Sequence, residues 1–278
     1  MFRTPVKMGL VALALSLSLG AAAVAGPFED GVAAYRRADY ATALRLIRPL
    51  AEQNNAPAQA ILGLMYALGQ GVQQDYAAAL TWYRKSADQG FASAQSDLGS
   101  MYDRGFGVKQ DYAAALTWYR KAADQGFAGA EYGLGLMYAD GRGVPKDSRA
   151  AVIWISKAAD HGNAAAQFKL GMMYESGEGV PQDFTAAVTW YRAAAERGDH
   201  DAQYYLGAMY AGGKGMPQDY VTAYMWLSLA ASAGNLDALQ DADAVMRRMT
   251  PAQIAEAERL ARGWTPKSSN QTTSGSLP

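Results

Sequence analysis

The stretch AQSDLGSMYDRGFGVKQDYAAALTWYRKAADQG, residues 94–126, decides the fold, because its frame recurs every 36 residues. Leu62, Leu98, Leu134, Leu170 and Leu206 each precede a glycine, and Tyr66, Tyr102, Tyr138, Tyr174 and Tyr210 follow four positions later. The same step relates Gly69, Gly105, Gly141, Gly177 and Gly213, then Asp75, Asp111, Asp147, Asp183 and Asp219. It relates Trp82, Trp118, Trp154, Trp190 and Trp226 as well. Five copies without an insertion read as a repeat array, in which each unit hides its apolar face only by stacking on its neighbours.

Each unit reads as two helices. The first, from about Ala58 to Ala67 in the leading copy, stops at Gly69-Gln70-Gly71-Val72, where glycine can take the left-handed conformation. The second starts behind Asp75, whose carboxylate can accept from the free amides of a first turn. Ala79, Trp82, Tyr83, Ser86 and Ala87 share one face of that second helix and predict a core in which the tryptophans are fully buried. Residues 58–93, 94–129, 130–165, 166–201 and 202–234 form the five units. Residues 28–57 and 235–263 form helical caps, the latter including Thr250-Pro251-Ala252-Gln253 as a helix start of capping-box spacing. From Thr265 onward the sequence is polar and offers little to bury, and residues 264–278 read as a disordered tail.

At the other end, Arg3 and Lys7 precede the uncharged run Met8–Ala25, which closes on Ala23-Val24-Ala25. This pattern predicts an export signal over residues 1–25, cleaved before Gly26, and a periplasmic or secreted protein with no stable membrane insertion afterwards. A retained anchor is the alternative.

Composition removes several classes of function. Lysine and arginine total 25 against 26 acidic residues, which argues against nucleic acid as a partner. There is no cysteine, and His161 and His200 are the only histidines, so no metal site, cofactor or catalytic residue is expected. The Gly-x-Gly loops follow helices, not strands, and read as helix stops, not nucleotide cradles. Glu178 shares its column with Gln70, Phe106, Arg142 and Lys214, a mixture that reads as solvent-facing loop.

The frame Ala58, Leu62-Gly63, Tyr66, Gly69, Gly71-Val72, Asp75, Ala79, Trp82, Ala87, Gly90 resembles the Sel-1-like repeat, a relative of the tetratricopeptide repeat, across roughly residues 30–250. The resemblance implies an all-α fold, a right-handed α/α superhelix, and a role in holding a protein or peptide partner. A cysteine-rich branch of that family has been associated with β-lactams, but its cysteines are absent here, so that activity is not carried over.

Comparison of the copies suggests where a partner binds. Ala58, Leu62, Gly63, Met65 and Tyr66 head nearly constant columns, whereas those of Ala60, Ile61, Leu64, Ala67 and Leu68 vary and occupy the opposite arc of the helix. The resemblance places this helix on a concave wall, so the varying arc is expected to face a groove. Its columns read Ala60, Ser96, Tyr132, Phe168, Tyr204 and Ile61, Asp97, Gly133, Lys169, Tyr205. Tyr132, Phe168, Tyr204 and Tyr205 are the candidate anchors, with Asp97 and Lys169 tuning selectivity. The expected function is a non-enzymatic interaction scaffold. The alternatives are a cell-wall glycan binder whose tyrosines stack on sugars and, with no nucleophile–base pair in view, an enzyme on muropeptides or β-lactams.

Overall fold

The computed structural model describes residues 26–267; the expected export signal and the last eleven residues of the tail lie outside the described residues. The described chain is an all-α repeat solenoid of fourteen helices. The described residues divide into two compact units, one up to residue 130 and one from residue 131 onward. The first holds α1 (Pro27–Arg36), α2 (Tyr40–Glu52), α3 (Ala56–Leu68), α4 (Tyr76–Asp88), α5 (Ala92–Arg104) and α6 (Tyr112–Ala123). Helix α7 (Ala128–Asp140) runs across the division. The second unit continues with α8 (Ser148–Asp160), α9 (Ala164–Ser176), α10 (Phe184–Ala195), α11 (His200–Gly212), α12 (Tyr220–Ser232), α13 (Leu236–Met246) and α14 (Pro251–Gly263).

The odd-numbered helices stop as their glycines dictate: Gly69 sits at φ 68° and caps α3 in the left-handed conformation. Gln74 then donates from Nε2 to the free carbonyl of Ala67 at 2.8 Å, and Gln110, Gln182 and Gln218 repeat the bond on Asp103, Glu175 and Ala211. Asp75 accepts from the amides of Ala77 and Ala78 and starts α4. The second glycine of each loop has a packing role beyond stopping a helix. A Cβ on Gly179 would lie 2.3 Å from the carbonyl oxygen of Ser148, so this loop rests directly on the first turn of the even helix one repeat earlier.

The glycine after each core leucine is also explained by a neighbour. A Cβ at Gly63 or Gly99 would meet the ring of Tyr83 or Tyr119 at 3.0 and 2.8 Å, and at Gly171 the ring of Tyr191 at 2.6 Å. The covered side chain is therefore the residue after the tryptophan, Tyr83, Tyr119, Ile155, Tyr191 or Leu227, and the expectation of buried tryptophans is corrected: Trp82, Trp118, Trp154 and Trp190 are half-buried. Their rings lie at the margin of the stack, where Lys85, Lys121 and Lys157 hold an ammonium 4.1–4.4 Å above the first three. Trp226 alone among these five is buried, because Trp264 packs edge-on against it at 5.9 Å.

That contact corrects the tail as well. Residues 264–267 are docked, not free: the Lys267 amide donates to the Glu196 carbonyl at 2.8 Å, and its Nζ lies 2.6 Å from the Glu196 carboxylate. Helix α14 packs on α12, with Leu260 and Ala261 against the cluster around Trp226.

Candidate functional site

The varying arc of the odd helices is not an open wall. Ala60 and Ile61 are each 2% exposed, and Ser96 and Ala67 are equally covered. Ala60 and Ala67 of α3 share a cluster with Ala94, Leu98 and Met101 of α5. An odd helix touches its own even helix, the preceding even helix and the next odd helix, which leaves only a narrow strip of its surface open. Ala60, Ile61, Ala67 and Ser96 thus belong to the seam between successive repeats and not to the expected groove wall, whereas most of the other variable positions are only half-buried.

In the second unit the strip widens into an aromatic row. Phe168 of α9, Tyr205 of α11 and Tyr191 of α10 form a triangle with ring centroids 5.4–5.8 Å apart, and Tyr204 meets Tyr205 edge-on at 5.3 Å. Tyr191 is the foundation, 0% exposed against Gly171, with its hydroxyl donating to Glu175 at 2.6 Å. Burial and the adjacent Glu175 raise the hydroxyl far above the ordinary tyrosine range. Phe168 and Tyr205 lie over this foundation, Tyr204 joins them through Tyr205 beside the cluster of Ala223 and Leu227, and all three residues remain half-buried. Burial, then the nearby Asp241 carboxylate, raises the Tyr204 hydroxyl as well.

The other expected site residues do not join this row. Tyr132 is half-buried in a separate cluster with Ala166 and Leu170, and burial raises its hydroxyl. Asp97 belongs to the first unit, partly covered, where burial pushes its carboxyl up to about 7; it in turn raises the buried Tyr83 hydroxyl, after burial itself. Lys169 is half-buried beside Phe168 and has no ion-pair partner among the described residues.

Sequence reasoning missed a set of contacts spaced thirty residues apart. The Glu178 column, expected to be free loop, is paired. Gln70 accepts from Tyr35 and donates to Tyr40, Phe106 stacks on Tyr76 at 5.0 Å, Glu178 accepts from Ser148 at 3.1 Å, and Lys214 lies over Phe184. A second column behaves alike: Gln89 donates to Gln59 at 2.7 Å, Gln125 to Gln95 at 2.8 Å and Arg197 to Gln167 at 3.4 Å. In the third repeat His161 meets the buried Glu131 at 2.7 Å. His200 turns to Gln203, so the two histidines do not converge. Among the described residues no three His, Asp or Glu side chains gather in a way that could hold a metal ion, and no helix is long and apolar enough to cross a membrane. Reading the columns against one another at a thirty-residue offset would have exposed these pairs.

Comparison with known proteins places the chain. The Sel1 repeat model matches residues 56–91, 92–127, 128–163, 164–199 and 200–235. Each match opens on the first residue of an odd helix, two residues ahead of each of the five unit starts read from sequence. A Sel1 repeat protein from Oxalobacter formigenes is 36% identical with a TM-score of 0.73, over 85% of this chain and 96% of that one. c5321, a protective antigen present in uropathogenic Escherichia coli strains, is also 36% identical, with a TM-score of 0.70; the match covers 85% of this chain but only 52% of the antigen. An immunity protein from Pseudomonas aeruginosa shares the fold at 23% identity, TM-score 0.53, over 73% and 81% of the two chains. No curated protein matches.

Proposed function

Because the chain belongs to the Sel1 repeat family, whose members are in general helical scaffolds for protein interactions, we propose that it is a non-enzymatic scaffold. In this reading a peptide or protein partner is seated on the odd-helix face of its second unit. The observation that carries the proposal is the row Phe168–Tyr205–Tyr204. A ring recruited only to fill a core would be enclosed as Tyr191 is, whereas Phe168 and Tyr205, braced by it, and Tyr204, edge-on to Tyr205, remain partly open. Rings already locked by their neighbours lose little entropy on binding, which is what an anchor requires. Lys169, next to Phe168 in the chain and without an ion-pair partner among the described residues, is suited to an acidic group of the partner. We further place the protein in the periplasm or outside the cell, on the strength of the basic start, apolar run and Ala23-Val24-Ala25 ending of residues 1–25.

A photo-crosslinking amino acid at position 168, with captured species identified by mass spectrometry, tests the reading. One envelope protein should dominate, and Tyr205→Ala should weaken its binding by roughly 30-fold, about 2 kcal/mol, with helicity unchanged. Undiminished capture by the variant would remove the site. Retention on purified cell wall in place of a protein would favour the glycan alternative.

A further inference from the structure

The core glycine of each odd helix receives the side chain that follows the tryptophan, and the residue one turn beyond that glycine is matched to it. Where the side chain is Tyr119 or Tyr191 the matching residue is acidic, Asp103 or Glu175; where it is Ile155 or Leu227 the match is Ala139 or Ala211. In the fourth repeat the match is a bond, the Tyr191 hydroxyl donating to Glu175 at 2.6 Å. The first repeat breaks the rule. Tyr83 lies against Gly63 and is only 3% exposed, yet the matching residue is Ala67. The Tyr83 hydroxyl has no hydrogen-bond partner among the described residues.

The surroundings of this ring differ as well. By the repeat register, Ala60 and Asp97 hold the places that Phe168 and Tyr205 hold around Tyr191, where the ring centroids are 5.8 and 5.4 Å away. Two rings are thus replaced by a methyl group and a carboxyl. Asp97 has no hydrogen bond or ion pair among the described residues, and burial alone raises its carboxyl, with no cation beside it to oppose the rise. Its charge in turn raises the Tyr83 hydroxyl, after burial itself, so the two groups stand near each other without a direct bond. Tyr35 of α1 is the other titratable group at this place, and its hydroxyl is already engaged by Gln70.

A half-buried carboxyl and an enclosed hydroxyl, both without a partner, weaken the fold that carries them. The repeat itself does not require them, since the column of Asp97 holds Ile61, Gly133, Lys169 and Tyr205 in the other copies. Both groups can accept from one positively charged donor. A compact ammonium on a flexible stem suits a small, covered place with acceptors on two helices better than a planar guanidinium does. We propose that Asp97 and Tyr83 form a recognition site in the first unit for a lysine side chain of a partner, the ammonium donating to the Asp97 carboxylate and to the Tyr83 hydroxyl oxygen. The site does not rest on the aromatic row of the second unit, and loss of either should leave the other in place.

Nα-acetyl-lysine methylamide, titrated to about 20 mM into the full chain at about pH 8 and followed through amide chemical shifts, tests the proposal. Shifts should centre on Asp97 and Tyr83, and the same compound acetylated on Nζ, which carries no charge, should give none. Because the Asp97 carboxyl titrates at about 7, affinity should fall about tenfold between about pH 8 and about pH 6. Asp97→Asn should weaken binding at least about tenfold. Tyr83→Phe, which keeps the ring against Gly63, should weaken it roughly threefold. Circular dichroism checks that both variants keep their helices. An absence of shifts at Asp97, equal binding of the acetylated compound, undiminished affinity in either variant, or affinity independent of pH over that range would each overturn the proposal.

Discussion

Helices α5 and α9 occupy equivalent places in the second and fourth repeats. They share Gln95/Gln167, Leu98/Leu170, Gly99/Gly171, Met101/Met173 and Tyr102/Tyr174, and each glycine is set against the same ring, Tyr119 or Tyr191. They differ at Ser96/Phe168, Asp97/Lys169 and Ser100/Met172. One therefore offers a small, partly covered face with a carboxyl held near neutrality, the other an aromatic row. The spine fixes where the backbone goes, and the remaining positions fix what each repeat presents; the two layers respond to different perturbations.

The largest effect should come from the shared layer. Tyr119→Ala and Tyr191→Ala each remove a buried ring from against a glycine and should cost about 3–5 kcal/mol in chemical denaturation. The two values should agree within roughly 1 kcal/mol, and a wide gap would break the equivalence of the spines. Trp154→Ala should cost less, about 2 kcal/mol, because its ring is only half-buried beneath Lys157.

The differing layer sharpens the comparison through pH. Asp97 holds its proton more tightly folded than unfolded, so its contribution to stability declines as pH rises from about 4 to about 7, and it changes no further above that. Asp97→Asn should flatten this decline, gaining on the order of 2 kcal/mol at pH 8 after allowance for partial exposure. No carboxylate stands at position 169, so Lys169→Gln should leave the profile unchanged in melts collected across that range. The smallest effect belongs to Tyr191→Phe, about 1 kcal/mol, through loss of the hydroxyl bond to Glu175.

The helices, loops and caps were legible in the sequence because identical side chains meet identical neighbours, so recurrence reports packing directly. Two readings failed for one physical reason. Trp82 recurs, yet it sits at the margin, since a column can be constant because a lysine stacks on it and not because it is enclosed. Ile61 and Glu178 vary, yet they are held, since their partners vary with them in the adjoining repeat. Of the expected anchors, Phe168, Tyr204 and Tyr205 do meet, because consecutive odd helices bring neighbouring columns together; Tyr132 lies in another cluster and Asp97 in the other unit.

The thirty-residue pairs carry an evolutionary consequence. Tandem copies invite loss of a whole unit when a gene slips during replication, and a chain shortened by one period would lose one pair of helices and leave the others uninterrupted. Removing residues 164–199, however, would set Ser148 against Lys214 where Glu178 had been, and delete Phe184 along with the row built on Tyr191. Matched neighbours thus give each copy an ordinal position, and the order of the units is inherited as firmly as their number.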